Sequence, residues 1–237
     1  MKAFRLWLRW VFANSMGEMV GLGLTFGLGY LIVDYTGELA GLWGTLLSFG
    51  LMVATSFIEG TVVGFAQYWG MHPLVHRPED HRLGIKQGVW LRATILGTLL
   101  AWFFGAMPFF IINLAMSTET TSPTTAEPEQ WMVYLLAVGA GLFAGAVLAF
   151  FQWRALRRHF NRAGWWVPAN SLAWAAGMPL IFAAMDTVFS LQTPAAMVLA
   201  FLGVLALTGA LVGAIHGVAL LWIARKPKNN IPEPTPT

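Results

Sequence analysis

Apolar residues in this chain gather into long stretches, and polar residues are swept into the short pieces between them. Runs of about 20 apolar residues are long enough to cross the hydrocarbon core of a bilayer as helices. The pattern predicts six such helices, at roughly 8–33, 43–69, 88–115, 131–153, 165–187 and 195–223. Strands of a membrane barrel would instead alternate apolar and polar positions in short segments, and no stretch does so. The expected class is therefore all-α: a polytopic membrane protein of six transmembrane helices arranged as three hairpins. The helical domain is expected over 1–224, with a disordered tail over 225–237.

The charges give the expected orientation. Lys2, Arg5 and Arg9 precede or open the first span. Arg77, Arg82 and Lys86 lie between the second and third, and Arg154, Arg157, Arg158 and Arg162 between the fourth and fifth. Arg225, Lys226 and Lys228 follow the sixth. The other three connections contain no Lys or Arg, only acids such as Asp34, Glu38, Glu119, Glu127, Glu129 and Asp186. Arg92 falls inside the third span, but close to its basic end. By the positive-inside rule both termini are expected in the cytoplasm, with the chain in the cell (inner) membrane. The polar stretch "STETTSPTTAEPEQ" (117–130) then reads as an external loop. The basic N-terminus resembles a signal peptide. However, Asn14 and Glu18 interrupt its apolar stretch and no small-residue cleavage site follows, so a retained first helix is expected.

Composition agrees and removes several classes. Hydrophobic residues make up 57% of the chain, charged residues only 11%, and the mean hydropathy is +0.63. A soluble domain carries about 25% charged residues. There is no cysteine, which excludes disulfides, thiolate nucleophiles, iron–sulfur clusters and cysteine zinc sites. The pI of about 9.5 would suit nucleic acid. Here, though, the cations are parcelled into alternate connections, so membrane orientation explains them and no nucleic-acid partner is expected.

Two motifs recur in order. "WVFAN" (10–14), "WLRAT" (90–94) and "WVPAN" (166–170) open the outward-going helices. "EGTVVGFAQY" (59–68), "AGAVLAFFQW" (144–153) and "TGALVGAIHG" (208–217) fall on the returning ones. They predict three copies of one hairpin. Trp10, Trp90 and Trp166 are expected in the aromatic belt at the membrane interface. Small residues spaced by four, such as Gly60 and Gly64 or Gly209 and Gly213, are expected to let helix backbones approach closely. Asn14, Thr94 and Asn170 with Gln67, Gln152 and His216 should form a polar layer of interhelical hydrogen bonds in the cytoplasmic half.

Departures from the repeat point to chemistry. Glu18 stands where the other copies have Thr98 and Trp174, and Glu59 where they have Ala144 and Thr208. Glu18 is eight residues beyond Trp10, about 12 Å into the membrane, and Glu59 lies at a comparable depth on the returning helix. Ionisable groups at such depth are costly and are candidates for function. The pair would serve proton or cation handling, or else a protonated lock between two helices. Arg92 is a possible partner for Glu18, or a snorkelling arginine. The candidate ligand- or ion-binding set is Glu18, Glu59, Asn14, Gln67 and His216. His216 suits a hydrogen bond, with axial ligation of a pigment as the alternative. The cluster "HPLVHRPEDH" (72–81) reads as a solvated loop more readily than as a metal site, because Pro73 and Pro78 oppose the helix that its His spacing would need. No phosphate-binding loop, nucleophile elbow or zinc-protease motif occurs, so no catalytic residue, cofactor or metal is expected.

"GAVLAFFQWRALRR" and "WVPANSLAWAAG" resemble a functionally unassigned group of bacterial multi-pass membrane proteins. In that group an Ala/Gly-rich helix ends in Gln-Trp and a basic loop leads to Trp-Val-x-Ala. The resemblance implies fold and topology, and no activity. The expected function is binding or transport of a small solute or cation through the polar site. The alternative is an accessory or assembly subunit of a larger membrane complex, contacting lipids or pigments. The expected partners are the lipid bilayer and a membrane protein or a second copy of the chain.

Overall fold

A computed structural model describes residues 2–36, 41–75, 84–118 and 129–225. It contains six long α-helices and, among the described residues, no strands. These are α1 (Lys2–Thr36), α2 (Gly41–Val75), α3 (Gln87–Thr118), α4 (Gln130–Leu156), α5 (Trp166–Phe189) and α6 (Pro194–Ala224). All are long and apolar enough to cross a membrane. Most ends overrun the expected limits. The helix does not stop where apolarity stops, because Lys, Arg and Gln are good helix formers and polar ends rest in water. Where a stop signal exists it is obeyed. Thr193 caps α6, its hydroxyl accepting from the Ala196 N–H at 3.3 Å, with Pro194 in the first turn, a position where the missing proline N–H costs nothing. A single 3-10 turn, Ala163–Trp165, leads into α5. Most of the 117–130 stretch, and the tail after Arg225, lie outside the described residues.

Each helix packs against its neighbours in sequence, and α6 returns to α1, closing a ring of six antiparallel helices. Glycines set how close the ring can be. A Cβ on Gly60 would lie 2.8 Å from Ile95 Cα, one on Gly145 2.6 Å from the Asn170 carbonyl oxygen, and one on Gly209 2.5 Å from that of Asn14. Only hydrogen fits at these crossings, and in lipid this close van der Waals contact replaces the missing hydrophobic drive between helices. The outer surface carries large apolar side chains such as Phe57, Phe143, Leu172, Leu199 and Val218, as contact with lipid requires.

The core has two parts. At the basic end Trp10, Trp90, Trp166, Leu156, Leu220 and Ile223 pack together. Deeper in the bundle Leu22, Trp174, Ile181, Leu205 and Val212 form a second cluster. The three tryptophans correct an expectation. They are fully buried and meet edge to face inside the ring, Trp166 lying 6.1 Å from Trp10 and 6.2 Å from Trp90. Each stands one turn before a buried polar residue, Asn14, Thr94 or Asn170, and so shares its inward face. The rings left on the outer surface are others, such as Trp43, Trp69, Trp131 and Trp165.

Candidate functional site

The polar residues at the basic end form a directed chain of amides. Trp166 Nε1 donates to Gln152 Oε1 at 2.9 Å, Gln152 Nε2 to Gln67 Oε1 at 2.9 Å, and Gln67 Nε2 to Asn14 Oδ1 at 2.9 Å. Asn14 Nδ2 then donates to the Trp10 carbonyl at 2.8 Å. Thr94 and Asn170 make the matching bond one turn back, to the carbonyls of Trp90 and Trp166, each at 3.1 Å. Gln152 Nε2 also reaches Thr94 Oγ1 at 3.1 Å.

His216 belongs to the same layer. Its Nδ1 accepts from Trp10 Nε1 at 2.9 Å, so this nitrogen carries no proton. The ring is wedged against Trp10 and Trp166, with centroids 5.5 and 5.3 Å away. Nδ1 is thus occupied by a hydrogen bond, and two indoles pack against the ring. The chain leaves one donor out. Trp90 Nε1 is buried without a hydrogen-bond partner, whereas the corresponding Trp10 and Trp166 donate to His216 and Gln152.

Above this layer lie the two acids. Glu18 is 1% exposed and Glu59 7%, and their carboxyl groups are within electrostatic reach of one another. Gly21 lets α1 approach the backbone of Glu59, and Gly209 lets α6 approach the Glu18 side chain. Glu59 Oε2 accepts from Trp102 Nε1 at 2.6 Å. Glu18 Oε2 is buried without a partner, and neither acid pairs with a Lys or Arg among the described residues. Arg92 is exposed and makes no ion pair with Glu18. The five expected residues thus divide. Asn14, Gln67 and His216 sit in the closed hydrogen-bonded layer, Glu18 stands just above it, and Glu59 faces a cavity.

That cavity, of about 1080 Å³, occupies the half of the bundle away from the basic end and is lined by α1 to α5. Phe26, Phe49, Met52, Phe104, Met178 and Phe182 are among its walls, and Glu59 is the only charged residue among the described residues lining it. It spans from Glu59 to Thr45 along α2, about 20 Å at 1.5 Å per residue. Trp102 and these walls are residues that the repeat pattern did not single out. Trp102 carried a signal nonetheless. It stands twelve residues beyond Trp90, about 18 Å along the helix and far from an interface. A buried indole N–H needs an acceptor, and Glu59 is that acceptor.

Among the described residues no three His, Asp or Glu side chains come together as a metal site would need. His76, Glu79, Asp80 and His81 lie outside the described residues. No protein-family model matches the chain, and no solved structure matches it.

Proposed function

We propose that this integral membrane protein is a non-enzymatic binding protein of the cell (inner) membrane, both termini cytoplasmic. Its ligand is an apolar or amphiphilic solute drawn from the bilayer, held in the cavity with its polar end at Glu59. The observation that carries this reading is a large apolar cavity with one carboxylate at its floor. Ligand pockets of about 300–1,000 Å³ hold drug-sized molecules with a few placed polar groups, and this cavity, at about 1080 Å³, is slightly larger than that range. A small inorganic cation would leave nearly all of it unfilled. Passage towards the basic end would require the tryptophan–amide layer to open, so binding is better supported than conduction.

The three-hairpin repeat belongs to the same proposal. What supports it is the cyclic order of contacts: the Gly60, Gly145 and Gly209 ridges on α2, α4 and α6 each receive the outward helix of the following hairpin. The first hairpin alone adds carboxylates, which gives the bundle a unique site. Cytoplasmic termini rest on the charge asymmetry of the connections.

The test is saturable binding of N-phenyl-1-naphthylamine, an apolar fluorescent amine, to the full chain in nanodiscs, with empty nanodiscs subtracted. Gly105 lines the cavity, and a Cβ there meets nothing within 4 Å. Gly105→Phe should therefore project a ring into the cavity and weaken binding. Glu59→Gln should weaken it about tenfold. Undiminished binding in the Gly105→Phe variant would overturn the proposal.

A further inference from the structure

A second concavity lies at the opposite, basic end of the bundle, apart from the cavity over Glu59. It has a volume of about 560 Å³ and lies between the ends of α1, α2 and α6. Arg5, Arg9 and Arg225 line it together with Leu6, Pro73, Leu74, Leu221 and the alanines Ala3 and Ala224, and no carboxylate is among the described lining residues. Arg5 and Arg9 are one turn apart on α1, on the same face, and Arg225 closes the end of α6. Arg9 is held in place: its Nε donates to the Trp69 carbonyl at 3.1 Å, and its guanidinium lies 4.0 Å over the Trp69 ring. These two contacts fix the orientation of its guanidinium.

Three guanidinium groups with no acid among the described lining residues would repel one another if the site stayed empty of anions. A solvated basic fringe is the ordinary fate of arginines at a helix end. Two features depart from it: the arginines converge on one hollow, and half of that hollow is leucine and proline. A free inorganic anion would use the arginines and leave the leucines wet. An amphiphile uses both. Arginine forks match phosphate oxygens, and basic pockets between the ends of membrane helices are suited to anionic lipid head groups.

We infer that the Arg5–Arg9–Arg225 pocket binds the phosphate head group of an anionic phospholipid, with an acyl chain lying along Leu6, Leu74 and Leu221. The site is independent of the cavity over Glu59, and neither needs the other to be occupied.

The experiment is native mass spectrometry of the full chain released from detergent micelles doped with phosphatidylglycerol, phosphatidylcholine or inorganic phosphate alone. One phosphatidylglycerol should be retained per chain, with phosphatidylcholine retained far less and phosphate unable to displace it. Each arginine near an anionic lipid is worth about fivefold in affinity, so Arg5→Gln/Arg9→Gln/Arg225→Gln should weaken retention roughly 100-fold. The control Arg92→Gln/Arg154→Gln/Arg158→Gln removes three exposed arginines from elsewhere and should leave retention unchanged. Equal retention of phosphatidylcholine, equal loss in the control, or competition by inorganic phosphate would each overturn the assignment. The melting temperature of each variant without added lipid separates lost binding from lost fold.

Discussion

The two halves of this bundle are built from the same six helices and close in opposite ways. Towards the basic end the ring is shut: glycines lie against backbone, three indoles fill the centre, and an amide chain runs across four helices. In the other half the same ring holds an open apolar cavity. Some of the glycines follow the difference and some do not. A Cβ at Gly60, Gly145 or Gly209 would collide with a neighbouring helix, whereas one at Gly27, Gly50, Gly105 or Gly139 would meet nothing within 4 Å; yet one at Gly141, beside the cavity, would lie 2.2 Å from the Trp174 carbonyl oxygen. Glycine alone therefore does not bring membrane helices together. The shut half adds polar side chains, which without a partner in the bilayer would cost free energy. The open half supplies mainly apolar groups, for which lipid is as good a neighbour as protein.

The largest effect should come from wedging the shut half. Gly209→Leu puts a side chain where Asn14 and Glu18 already lie, and overpacking typically costs 1–3 kcal/mol or more. We expect loss of most folded protein in detergent, read by size-exclusion chromatography, while Gly105→Ala in the open half leaves the melting temperature within about 2 °C for a change near 0.5 kcal/mol. Equal losses at both positions would erase the distinction between the halves.

Next in size is Gln152→Leu, which removes the acceptor of Trp166 and the donor to Gln67 and Thr94. Interhelical hydrogen bonds in membranes average about 0.6 kcal/mol, and orphaning their buried partners adds to this. A destabilisation of about 2 kcal/mol is expected by thermal melting. No change would mean that the amide chain contributes nothing to closure.

At the boundary between the halves, Glu18→Gln combined with Glu59→Gln should leave stability unchanged or raise it by up to about 1 kcal/mol. Two unpaired acids in a dry setting are costly, and a Gln at 59 still offers Trp102 an acceptor. A large loss would make the acids a lock between α1 and α2, and would remove Glu59 from the binding proposal.

The smallest effect tests the uneven part of the shut half. Trp90→Phe should cost less than Trp10→Phe or Trp166→Phe by roughly one hydrogen bond, about 0.6 kcal/mol, because only the Trp90 N–H has no partner to lose.

Much of this was readable from residue order. Six spans follow from apolar run length, since the bilayer sets a length that a helix must meet. The small-residue ridges and the polar layer follow from period and composition, and the structure joins Asn14 to Gln67 and Gln67 to Gln152. Sequence could also place Glu18 and Glu59 at one depth, because rise per residue is constant. It could not say which way the tryptophans turn: an indole suits both an interface and a core, and only the closed ring decides between them. Nor could it foresee the cavity. Apolar residues lining a hollow and apolar residues facing lipid have the same composition and the same run length. Whether Phe104 or Met178 faces one or the other is decided only when six helices close around an axis, tightly where glycine and amide meet and loosely where neither does.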